Sequence, residues 1–186
     1  QVNQTSSDRS FRLELLGLSA HSTFNSSSAD LSLNSCSEIL WAGLYWGSTL
    51  GGSSDNSWRT SHTSVLFKIP GAASYTTVTS SQTDLHDSSA ANNHTGYQSF
   101  ADVTSLINAT NGIGTYTIAN VCSPVSTGKN NQAAGWALVI VYRDPTTIPR
   151  NLVVFDGFEI VSVNTQKDIP IAGFLTPLIG PVSCEL

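Results

Sequence analysis

The chain has 186 residues, a formal net charge of −5 and only 11% charged residues. That length suits one compact domain, and the abundance of Ser, Thr, Asn and Gly favours β-structure with many turns. The eight basic residues are scattered, which gives no electrostatic footprint for nucleic acid. No apolar run approaches the roughly 20 residues of a membrane-spanning helix. Neither nucleic-acid binding nor direct membrane insertion is expected.

In chain order, residues 1–10 read as a polar, flexible arm, and residues 11–18 alternate imperfectly as a first or edge strand. Residues 31–33 and 39–46 follow as strands. In the second of these Leu40, Ala42, Leu44 and Trp46 share one face and Trp41, Gly43 and Tyr45 the other. Both faces are apolar, so this strand is expected at the centre of a sheet. Residues 49–60 and 80–96 are expected as long polar loops, with a hairpin over 64–69 and 74–79 between them, turning at Pro70 and Gly71.

Asp102, followed by Val103, Leu106 and Ile107, predicts one short helical turn whose first backbone donors are capped by the Asp102 carboxylate. A strand over 115–121 comes next. Residues 136–142, apolar on both faces and closed by Asp144-Pro145, predict a second central strand with Trp136 in the core. Residues 152–163 read as one long strand bulged at Gly157, or as a hairpin turning at Asp156-Gly157. Strands at 169–174 and 180–184 finish the chain. This pattern predicts an all-β fold, a two-layer β-sandwich of jelly-roll type with one short helical turn, as a single domain over 1–186.

Cys36, Cys122 and Cys184 are an odd number, too widely spaced for a zinc signature. Buried thiols and a single disulfide both remain open. The start at Gln1 reads either as a mature N-terminus left by signal-peptide removal or as a trimmed chain.

The chemistry-bearing residues point to binding rather than turnover. There is no nucleophile elbow, and His21, His62, His86 and His94 sit in polar segments rather than at the ends of apolar strands. Asp102, Asp156 and Glu159 are the carboxyls best placed for glycoside hydrolysis, yet each has a sufficient role as cap, turn or strand face. No catalytic residue is assigned. Trp58 and His62 are the candidate ligand contacts, since Trp58 lies in a polar stretch while Trp41, Trp46 and Trp136 fall inside apolar strands. Asp84 and Asp87, close to His86 and His94, are the candidate ligands for a metal, calcium being the one that suits loop oxygens. No resident cofactor is expected.

Several blocks recur in a recognisable order. They are residues 39–47 with Trp41, Tyr45 and Trp46; 65–71 ending in Pro70-Gly71; 97–104 with Phe100-Ala101-Asp102-Val103; 114–119; 135–145; 150–158 with Phe155-Asp156-Gly157-Phe158; 171–174; and 180–182. Together they resemble a domain of the very large, repetitive cell-surface adhesins of Bacteroidota, which are associated with gliding and attachment. The resemblance implies a non-catalytic, extracellular domain at the cell surface, serving adhesion or surface-fibre structure. Its implied partners are a substratum, a surface polysaccharide or neighbouring domains of the same protein. The other reading is a carbohydrate-binding module that delivers a sugar to an enzyme elsewhere in the polypeptide.

Overall fold

Alternating apolar residues organise the described part of the chain into eight antiparallel strands and one helical turn. The structure, a computed structural model, describes residues 23, 25–50, 62–87, 94–108, 112–123, 133–148, 150–159, 161 and 164–173. The strands are β1 (Ser26–Leu31), β2 (Glu38–Thr49), β3 (Ser64–Lys68), β4 (Thr76–Thr79), β5 (Gln82–Asp87), β6 (His94–Asp102), β7 (Gly114–Ala119) and β8 (Ala134–Arg143), with helix α1 (Thr104–Asn108) between β6 and β7. They form two four-stranded sheets in the orders β1-β7-β3-β4 and β5-β6-β2-β8. One core joins the sheets, with Ala42, Leu44 and Trp46 of β2 and Tyr97 of β6 packed among Val65, Phe67, Tyr116 and Ile118 of β3 and β7. The expected all-β, two-layer sandwich is the fold.

Strand β2 is central, as its two apolar faces predict, and lies between β6 and β8. A register shift between Ile39 and Trp41 against β8 changes the facing of its first residues. Ile39 is thereby buried and Leu40 is left 51% exposed, so Leu40 does not share the buried face of Ala42, Leu44 and Trp46. Helix α1 is fastened to β2 by two hydrogen bonds. Val103 N donates to the Ala42 carbonyl and Ala42 N to Thr104 Oγ1, each at 2.9 Å. Asp102 Oδ1 accepts from Thr104 N at 2.9 Å, the capping role expected of it. At Gly112 the chain turns with φ of 74°, and a side chain there would collide with Ile39.

Asn25 extends the β1–β7 ladder with its side chain. Its Nδ2 donates to the Val121 carbonyl at 2.7 Å and its Oδ1 accepts from Val121 N at 2.9 Å, while its own carbonyl accepts from Asn120 N at 3.0 Å. The amide stands in for one more peptide group of the strand.

Several expectations are corrected. Residues 80–96 are not one long loop: β5 and β6 occupy most of them, and a run of Asp, His, Gln and Ser failed to announce strands that are stabilised by pairing rather than by apolar side chains. β8 is an edge strand, paired only with β2 among the described residues, so Trp136 is half-buried rather than central. The expected strands at 152–163 and 169–174 are not formed among their described residues, because an apolar run becomes a strand only where a neighbour supplies the ladder. Residues 1–22 and 180–184 lie outside the described residues.

By contacts the chain divides into two compact units, Gln1–Asp144, which holds both sheets, and Pro145–Leu186. In the second unit Leu152, Phe155, Ile169 and Ile171 are exposed, and Lys167 pairs with Glu159 at 2.8 Å on its surface.

Candidate functional site

The two long sides of the sandwich differ. On one side β4 passes through Ser80 and Ser81 directly into β5, so the main chain itself joins the sheets. On the other side β1 and β8 are both edge strands among the described residues, and between them runs a groove of about 370 Å³. Its walls carry Tyr116, Trp136, Leu138 and Ile140, and its polar lip carries Ser27 and Asp30. Trp136 Nε1 donates to Ser27 Oγ at 2.7 Å, which bridges the sheets across the groove. Asp30 accepts from Thr115 Oγ1 at 2.6 Å.

The outer face of the second sheet is a second candidate. Strand pairing fixes which side chains stand beside one another there. Gln82, Phe100, Tyr45 and Ala137 form one row across β5, β6, β2 and β8, and Asp84, Gln98, Gly47 and Gly135 form the next. Asp102, Gly43 and Val139 form a third row, and Trp41 stands beside Val141. The Trp41 indole lies over Gly43, where any Cβ would overlap its ring carbons. Phe100 stacks on it with centroids 6.2 Å apart and an interplanar angle of 23°, and Tyr45 leans on Phe100 at 4.9 Å. All three rings are partly exposed. Hydrogen bonds from the Thr104 side chain, the Thr104 backbone and Trp41, in that order of weight, hold the Asp102 carboxyl below its ordinary range.

The residues singled out from sequence fall in different places. Trp58 lies outside the described residues. His62 is buried, with its ring 5.6 Å from that of Tyr97. Its carbonyl accepts from Trp46 Nε1 at 3.0 Å and from Ser99 Oγ at 2.9 Å, and these bonds draw residue 62 into the interior. Asp84 stands on the outer face of β5 and accepts from Gln82 Nε2 at 3.0 Å, while Asp87 ends that strand opposite His94, beyond a register shift. Among the described residues no group of three or more His, Cys, Asp or Glu side chains converges as metal ligands would. Cys36 is exposed and Cys122 is buried, and no disulfide joins them. Tyr97, whose hydroxyl donates to the Cys122 carbonyl at 3.0 Å, has its phenol pushed well up, first by burial.

Sequence reasoning missed both the groove and the outer aromatic face. The signal for the second was present in the alternation Trp41, Gly43, Tyr45, Gly47, in which apolar rings and glycines share a face that a core would fill with aliphatic side chains. Compared with known proteins, the chain matches no family model, no curated protein and no solved structure.

Proposed function

We propose that this chain is a non-catalytic binding domain of an exported bacterial surface protein, serving adhesion or surface-fibre structure outside the cell. The observation that supports this reading best is the open side of the sandwich. There two strand edges, unpaired among the described residues, flank a groove with apolar walls and a hydroxyl-bearing lip. Such a side accepts an extended polymer or a neighbouring domain by main-chain pairing and apolar contact, with no bond made or broken. The resemblance of its sequence blocks to gliding and attachment adhesins supports a cell-surface setting for the same activity. A module that delivers sugar to an enzyme shares this binding step and differs in what else the polypeptide carries.

The reading is tested with beads coated with the chain and held under flow on polysaccharide-coated and protein-coated surfaces. Retention above that of albumin-coated beads is expected on at least one surface, and Leu138→Asp, which places a charge on the groove wall, is expected to abolish it. Retention equal to the albumin control on every surface would overturn the reading.

A further inference from the structure

We infer that the outer face of the second sheet is a glycan-binding site for neutral hexose polysaccharides, built from Trp41, Tyr45 and Phe100 beside a hollow at Gly135. The inference takes the chain to be a binding domain and adds a ligand class at a face distinct from the open groove.

The argument begins with the glycines. Gly47 and Gly135 are paired across β2 and β8, so two bare positions adjoin in one row. At Gly47 a Cβ would meet the Tyr97 carbonyl oxygen at 2.5 Å, which explains that glycine by close approach of the strands. At Gly135 a Cβ would meet nothing within 4 Å, and the residue is not at positive φ. Neither sterics nor backbone conformation calls for glycine there. The pair contributes no side chain over an area of about 5 by 7 Å from strand spacing and rise, the footprint of a single pyranose ring, and the open space lies over Gly135.

The surroundings of that hollow supply what a sugar needs. Along β2 it is bordered by Tyr45, with Phe100 and then Trp41 beyond, so rings continue along the sheet from the hollow. Pyranose faces carry C–H groups of partial positive charge, which favour the negative faces of aromatic rings. Trp41 lies over Gly43 and is stacked by Phe100, so its outward face is presented at a reduced entropy cost of ordering it. Across β6 and β5 the hollow is bordered by Gln98 and Asp84, an amide and a carboxylate that can engage sugar hydroxyls. Asp84 and Asp102 make the face negative, which disfavours uronic-acid and sulfated chains and selects neutral ones.

Affinity electrophoresis tests this in native gels containing neutral polysaccharides (a mixed-linkage β-glucan, a mannan, a xyloglucan) or an anionic one (alginate). The chain is expected to be retarded in at least one neutral gel and not in alginate. Trp41→Ala and Tyr45→Ala are expected to weaken retardation about tenfold. Gly135→Val, whose Cβ would have nothing within 4 Å, is expected to do the same while the melting temperature stays level or rises, so loss of binding cannot be ascribed to unfolding. Equal retardation of wild type and Gly135→Val, retardation confined to alginate, or mobility unchanged in every gel would overturn the inference. Bead retention lost in Leu138→Asp but kept in Gly135→Val separates the adhesion reading from this one.

Discussion

Trp46 and Trp136 are register partners on the inner face of one sheet, yet they belong to opposite sides of the sandwich. Trp46 is 1% exposed and its indole is tied to the His62 carbonyl, on the side where the chain crosses between sheets. Trp136 is half-buried and tied to a serine hydroxyl at the groove. The closed side is filled with polar bonds in a fixed direction. Ser99 donates to the His62 carbonyl, so Thr83, 2.9 Å away, must donate to Ser99, and Ser80, 2.9 Å from Thr83, must donate to Thr83. A side joined by the main chain can therefore be lined with hydroxyls. The open side keeps apolar walls and, among the described residues, two strands that each pair on one edge only.

The sharpest test of this contrast exchanges the two indoles for alanine. Trp46→Ala is expected to cost about 3–5 kcal/mol by urea denaturation, since a fully buried aromatic is replaced by a cavity. Trp136→Ala is expected to cost about 1–2 kcal/mol, in line with partial burial. Equal losses would mean that the groove is as well packed as the core. Ser99→Ala comes next. It ends the hydroxyl chain in the middle and leaves buried polar groups without their partner, at about 1–3 kcal/mol. A neutral result would show that the closed side rests on chain connectivity alone.

The smallest effect concerns the cap of α1. Asp102→Ala is expected to cost about 1 kcal/mol at neutral pH. The Asp102 carboxyl is held below its ordinary range in the folded state, so its contribution is complete above the unfolded value of about 4 and fades as pH falls through the folded one. Asp102→Asn keeps an acceptor and should remove that acid dependence. Unchanged acid sensitivity in the Asn variant would show that Asp102 does not carry it.

Apolar periodicity and turn chemistry were enough to read the sandwich, the central place of β2, the β3–β4 hairpin and the capped turn at Asp102. What stayed hidden depends on neighbours. Central and edge strands can have the same composition, as β2 and β8 do, and only the pairing separates them. The register shift at Ile39 and Trp41 leaves no compositional trace, and it decides that Leu40 is exposed. β5 and the start of β6 read as loop because their residues are polar, yet the partner strand supplies their ladder. For the site, Trp41 read as core because a strand sequence does not say which of two apolar faces meets the other sheet. His62 read as a surface contact because its neighbours are polar, whereas its carbonyl is the acceptor on which Trp46 and Ser99 converge.

Asn25 also bears on how the first sheet ages chemically. Its amide donates to the Val121 carbonyl and accepts from the Val121 N–H, and its neighbour Ser26 is paired with Ala119 in the β1–β7 ladder. Deamidation requires the Ser26 peptide nitrogen to swing onto the side-chain carbon of Asn25, and both groups are held apart by these bonds while the rung is closed. Peptide mapping of stored samples is therefore expected to find a mass gain at Asn25 only as fast as this end of β1 opens, and the rate of that gain would report the opening.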